Sequence, residues 1–117
     1  MCSIELNSDM QEKGQVVLLG SVSGDNPTNI TIENINNFSQ IRVCSYYVGG
    51  GGAVIYASTE TSIEDFKNIA GMGANWTDHK NGCIVNGFVK YVNDTTINIT
   101  SSAYGTSPNI AKVFGIR

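Results

Sequence analysis

Charged residues are few in this chain. Seven Lys and Arg and ten Asp and Glu are spread over 117 residues, which leaves a net charge of −3 at pH 7. A protein that binds nucleic acid needs clustered Lys and Arg to displace counterions from the phosphates. Here the basic residues are scattered from Lys13 to Arg117 without a cluster. The sequence therefore predicts no DNA or RNA partner.

Long apolar runs are also missing. No run approaches the roughly 18 residues of a membrane-spanning helix. Met1 is followed by CSIELNSD, and not by the basic stretch and apolar core of a leader peptide. We expect no membrane insertion. The sequence leaves open a cytoplasmic protein, a component of a particle, and a chain whose leader has been removed.

Cysteine and histidine are too sparse for a common metal site. Cys2, Cys44 and Cys83 are widely spaced, and His79 is the single histidine. The simplest interpretation is that Cys44 and Cys83 are small buried residues on strands, and that they form no disulfide with each other. On a strand the adjacent Asp78 would point away from His79, which we expect to be a solvated turn residue. The sequence predicts no catalytic residues, no cofactor and no metal.

Residues that favour strands and turns are abundant, and Leu and Ala are scarce. Alternating apolar residues predict an all-β fold, an antiparallel, jelly-roll-like β-sandwich of about eight strands in a single domain, residues 1–117. The candidate strands are Ser3–Asn7, Gln15–Val22, Asn29–Ile35, Gln40–Val48, Ala53–Ser58, Gly82–Asn93, Thr96–Ser101 and Ile110–Arg117.

The segment Thr59–Asn81 interrupts this alternation. Ser62 can cap a helical turn, and Ile63, Phe66 and Ile69 would then lie on one side of it. We expect one short helical turn or an irregular loop near residues 62–70.

Aromatic residues occur among many Asn, Asp and Ser. Aromatic faces stack on sugar rings, and short polar side chains bind hydroxyl groups. This pattern predicts a glycan-binding site made of Trp76, Tyr47, Tyr56 and Tyr104. The alternative is that the tyrosines fill a β core or a subunit interface, as they do in many sheet proteins.

The closing KVFGIR, Lys112–Arg117, resembles the ending of small phage and prophage structural proteins of the tail-fibre or head-fibre type. Less specific likenesses occur in Gln40–Tyr47, Gly87–Asn93 and Ala103–Gly105. The resemblance implies a β-sandwich module, often trimeric, whose last strand lies inside a sheet.

It further implies a non-enzymatic virion component, made in the bacterial host cytoplasm, that builds part of a fibre, spike or capsid decoration. Its expected partners are two further copies of the chain, other virion proteins and a host-surface glycan. A free-standing carbohydrate-binding module or lectin is the alternative.

The last segment has the composition of a strand held in a sheet. Burying Phe114 and Ile116 would contribute about 1.5–3 kcal/mol each. Gly115 would permit the close approach of a neighbouring backbone. Because the chain has few lysines to protect exposed strand edges, packing around a threefold axis would be one way to cover them.

Overall fold

The computed structural model describes residues 14–23, 26–48, 54–78, 83–104 and 109–117. These residues form eight strands, one 3₁₀ turn and one short helix. The strands are β1 (Val16–Ser23), β2 (Thr28–Thr31), β3 (Gln40–Val48), β4 (Val54–Ser62), β5 (Met72–Asp78), β6 (Cys83–Asn93), β7 (Thr96–Tyr104) and β8 (Ile110–Ile116); the 3₁₀ turn is Ile35–Asn37, and the helix α1 is Ile63–Asn68.

The strands form two four-stranded antiparallel sheets that pack face to face. Sheet I has the order β1-β8-β3-β4, and sheet II has the order β2-β7-β6-β5. The first two strands thus pair with the last two, β1 with β8 and β2 with β7, while β3–β4, β5–β6 and β6–β7 are sequential pairs. The predicted all-β sandwich is confirmed.

Most strand predictions match, with shifts at the ends. β3 has the predicted bounds, β4 runs on to Ser62, and β7 runs on to Tyr104, whereas β2 stops at Thr31. β5, at Met72–Asp78, was not predicted, because that segment was expected to be irregular. The candidate strand Ser3–Asn7 lies outside the described residues.

Branched and aromatic side chains fill the space between the sheets. Sheet I contributes Ile41 and Val43 on β3, and sheet II contributes Ile97 and Ile99 on β7, all with no exposed surface. Burying each such side chain stabilises the fold by about 1.5–3 kcal/mol. Phe66 of α1 is also fully buried in this core.

Small and polar residues occupy the part of the interior between β3 and the strands β5 and β6. Ser45 Oγ of β3 donates to Ala74 O of β5 across the sandwich, at 2.8 Å. A Cβ atom on Gly87 would lie only 2.9 Å from the Cβ of Ser45. Because the sheets approach so closely here, only small side chains fit between them.

The final strand lies in the middle of sheet I, between β1 and β3, as the sequence predicted. The pairing continues to the last residue, since Arg117 N donates to Gln15 O at 3.0 Å and Gly14 N donates to Arg117 O at 2.7 Å. The Arg117 guanidinium forms two hydrogen bonds with the Glu33 carboxylate, at 2.9 and 3.1 Å. These contacts hold the carboxyl end of the chain in place.

The faces of β8 differ from the expectation. Ala111, Val113 and Gly115 are buried, while Phe114 and Ile116 lie on the outer face of sheet I and are only partly covered. The expected burial of Phe114 and Ile116 was therefore wrong. The inward positions take the smaller residues because the interior is narrow there. The group that approaches Gly115 is the Phe38 ring, and not a neighbouring backbone: a Cβ on Gly115 would lie 2.7–2.8 Å from three ring carbons.

The helix α1 confirms the expected helical turn. Ser62 Oγ accepts a hydrogen bond from Asp65 N at 3.1 Å and thereby caps the first turn. Ile63 and Phe66 are buried on one side, whereas Ile69, which follows the last residue of the helix, is 42% exposed and does not share that side. Ile63 N donates to Ser39 O at 3.1 Å, which fixes the start of α1 beside the segment that enters β3.

Cys44 is buried on β3 as a free thiol, and burial raises its pKa. This agrees with the prediction that Cys44 is a small buried residue on a strand. The side chain of Cys83 and all of Cys2 and His79 lie outside the described residues, so the prediction for Cys83 is not tested.

Candidate functional site

The outer face of sheet I carries an exposed apolar block, which we define as Val16, Leu18, Phe114 and Ile116. The pairing places Val16 opposite Ile116 and Leu18 opposite Phe114, so the four side chains are contiguous. Val16 is 49% exposed and Leu18 is 52% exposed. On a solvated face such positions favour polar residues.

The block adjoins an open strand edge. β1 is the first strand of sheet I, and within the described residues no strand pairs with its other side. Its sequence, VVLLGSVS, contains no charged residue and no proline. Charges and prolines are the usual protection of an edge strand against pairing with another chain. A bulge between Leu18 and Gly20 is the one such device that β1 has.

Polar side chains cross the rest of the outer face of sheet I. Arg42 Nε and Glu60 Oε2 form an ion pair of 2.8 Å, and Lys112 Nζ lies 5.6 Å from the centre of the Tyr46 ring. Tyr56, which pairs with Tyr46, is 54% exposed. Among the side chains of this face that the structure describes, the continuously apolar part is therefore the one nearest the start of β1.

A second feature is a cavity of about 630 Å³ beside α1, which we call the α1 cavity. Its walls come from the 3₁₀ turn, the entry to β3, the helix and β6. The lining residues are Asn36, Phe38, Ser39, Ser62, Ile63, Glu64, Lys67, Asn68 and Tyr91. Its volume lies within the range of about 300–1,000 Å³ that is typical of ligand sites.

A hydrogen-bond network fixes one wall of the α1 cavity. The Tyr91 hydroxyl donates to Asp94 Oδ1 at 2.5 Å, and Asn36 Nδ2 donates to Asp94 Oδ2 at 3.1 Å. Lys67 Nζ donates to Asn36 Oδ1 at 2.8 Å and lies 3.6 Å from Asp94. The hydrogen bond from Tyr91 lowers the pKa of Asp94, helped by the charge of Lys67, and the same bond raises the pKa of Tyr91.

The four aromatic residues of the predicted glycan site lie on strands of both sheets. Tyr47 and Tyr56 are on β3 and β4 of sheet I, and Trp76 and Tyr104 are on β5 and β7 of sheet II. In the pairing of β3 with β4, Tyr56 lies opposite Tyr46, and Tyr47 lies opposite Ile55. The side chains of Tyr47, Trp76 and Tyr104 lie outside the description, so this site stays a prediction.

Sequence reasoning missed the α1 cavity. Its lining residues come from three separated parts of the chain, and only the fold brings them together. Tyr91 stands out as an aromatic residue in the sequence, but its neighbours carry no local motif.

Two kinds of feature are absent from the described residues. No group of three or more His, Cys, Asp and Glu is arranged to hold a metal ion. No helix in the same residues has the length and apolar character required to cross a membrane.

Comparison with known proteins gave no match: no protein family, no curated protein and no solved structure is significantly similar to this chain.

Proposed function

We propose that this chain is a non-enzymatic structural module of a phage or prophage virion, part of a fibre, spike or capsid decoration, that assembles as a homotrimer. The observation that carries the proposal is the exposed apolar block next to the edge of β1 with which no strand of the described residues pairs. An apolar surface of this kind gains free energy when a second protein surface covers it. The virion setting is drawn from the resemblance of KVFGIR alone; in the structure this segment belongs to β8, which lies between β1 and β3 of sheet I.

Matched charge substitutions test the assembly. Val16, in the apolar block, is 49% exposed, and Val92, in sheet II, is 48% exposed. Val16→Glu places a carboxylate in the proposed interface, whereas Val92→Glu makes the same change at an equally exposed position outside it. Light scattering coupled to size-exclusion chromatography should give the mass of three 12.5 kDa chains for the wild type and for Val92→Glu, and the mass of one chain for Val16→Glu.

Thermal melting of both variants serves as the control for folding. A wild-type protein that is monomeric at micromolar concentration would refute the assembly. A dimer would refute the threefold arrangement, and a trimeric Val16→Glu protein would place the interface elsewhere.

The second candidate function is that of a carbohydrate-binding module. The observation that favours it is the α1 cavity, in which an aromatic ring and apolar side chains are surrounded by amide, hydroxyl and charged groups. This mixture of groups suits sugar rings, which present apolar faces and hydroxyl edges.

A further inference from the structure

We propose that the α1 cavity binds one ring of a neutral saccharide, with Tyr91 contacting its apolar face and Glu64, Asn68 and Lys67 contacting its hydroxyl groups. The inference rests on the second candidate function and does not require the assembly. It places the sugar site among residues different from the aromatic set that the sequence predicts.

The apolar part of the α1 cavity is rigid. Phe38 and Ile63 are each only 5% exposed, so packing holds their positions. The Tyr91 ring packs edge-on against Phe66, with 6.1 Å between ring centres, and its hydroxyl is tied to Asp94. Since these side chains are already ordered, a ligand would lose little free energy in arranging them.

The polar part offers hydrogen-bonding groups that its own contacts leave available. The Glu64 carboxylate makes no hydrogen bond or ion pair with any residue in the described part of the chain. Asn68 uses its amide NH₂ group to bond Glu64 O at 2.8 Å, which leaves its side-chain carbonyl as an acceptor. Ser62 Oγ accepts from Asp65 N, so its hydroxyl proton can still be donated.

The balance of charge selects the class of ligand. The lining carries one carboxylate, that of Glu64, and one ammonium group, that of Lys67, so an anionic ligand would meet the first and a cationic ligand the second. A neutral hydroxyl group can donate to a carboxylate and accept from an ammonium group at the same time. A polyhydroxylated, uncharged ring therefore matches this lining better than an ion of either sign.

Nuclear magnetic resonance titration of the full chain tests the proposal. The probes are neutral hexoses, pentoses, N-acetylhexosamines and their disaccharides at up to about 10 mM, where a site with a Kd near 1 mM is mostly occupied. At least one neutral sugar should give saturable shifts of the amide signals of α1 and the 3₁₀ turn. Glu64→Ala should weaken its binding about 10- to 100-fold, as expected for the loss of a charged hydrogen-bonding partner.

Asp65→Ala is the matched control. It removes the same charge from the next position of α1, outside the cavity lining, and should leave the Kd unchanged. The proposal would be overturned if no neutral sugar produced amide shifts, if the two substitutions had equal effects on the Kd, or if an acidic sugar bound more tightly. Loss of binding in Trp76→Ala with full binding in Glu64→Ala would overturn it in favour of the aromatic site. Because the mass of Glu64→Ala is measured separately, failure of sugar binding and failure of assembly are distinguishable.

Discussion

The substitution Gly115→Ala tests how the last strand is held. The added Cβ would lie 2.7–2.8 Å from three carbons of the Phe38 ring. Favourable carbon–carbon contacts are about 3.5–4.0 Å long, so either the ring or β8 must move. The ring has little room, because it is 5% exposed and the Arg117 guanidinium lies 4.9 Å from its centre. Overpacking of this kind costs about 1–3 kcal/mol.

The expected sign is opposite to that of an ordinary Gly→Ala change. In a strand without a steric conflict, alanine is favoured over glycine by about 0.5–1 kcal/mol. We therefore expect Gly115→Ala to lower the free energy of unfolding by about 1–2 kcal/mol, as measured by urea denaturation with an unchanged slope. In a Phe38→Ala background the conflict disappears, so the same change should be neutral or stabilising, which gives a coupling of about 1–3 kcal/mol.

Gly73→Ala provides a matched control. A Cβ at Gly73 would lie 2.6 and 2.9 Å from the Phe88 ring, which pairs with it across β5 and β6. Phe88 is 41% exposed and can turn towards solvent, and the remaining contact, 3.3 Å to Gly87 O, needs only a small shift, so this change should cost less than Gly115→Ala. The reasoning fails if Gly115→Ala is as harmless as Gly73→Ala, or if its cost is the same with and without the Phe38 ring.

Two further predictions concern titratable groups. Hydrogen bonds from Arg117 and then from Asn37 lower the pKa of Glu33, so this carboxylate stabilises the fold above its ordinary pKa, and the contribution is lost as the pH falls through the lowered value. Glu33→Gln should therefore reduce the amount of unfolding free energy that is lost at acid pH, by under about 1 kcal/mol for a partly exposed pair, as measured by urea denaturation. Identical pH profiles of the two proteins would contradict this. Burial raises the pKa of the Cys44 thiol, so in a Cys2→Ser, Cys83→Ser protein it should react with a disulfide reagent much more slowly when folded than in urea, and equal rates would show that it is accessible.

The parts of the fold that local patterns encode could be predicted. β3 follows from its many β-branched and aromatic residues, with alternation at Gln40–Val43, and α1 follows from the spacing of Ser62, Ile63 and Phe66. β5 was missed because its alternating residues have low β propensity. Met72 and Ala74 are buried and alternate with Gly73 and Asn75, and none of these four residues is β-branched. Where glycine and asparagine are frequent, propensity favours turns even though the strand is paired along its full length.

The orientation of β8 could not be obtained from hydrophobicity. Alternation separates Ala111, Val113 and Gly115 from Phe114 and Ile116, but it does not say which set faces the core. Size alone favours burying Phe and Ile. The opposite orientation occurs because the space beside β8 is already taken by Phe38 and by the close approach of the two sheets, and both are tertiary facts.

The outward orientation of Phe114 and Ile116 links the fold to the proposed assembly. Full burial of a Val or Leu side chain is worth about 1.5–3 kcal/mol, so covering the half-exposed Val16 and Leu18 would add about 1 kcal/mol each, and Phe114 and Ile116 less. Association costs about 4–15 kcal/mol in lost translational and rotational freedom, and the free energy gained by covering the apolar block does not offset this cost alone. Backbone hydrogen bonds along the open edge of β1, worth about 0.5–1.5 kcal/mol each, would have to supply part of the remainder. Since the proposed assembly needs both contributions and the net free energy of association is small, we expect the single substitution Val16→Glu to prevent it.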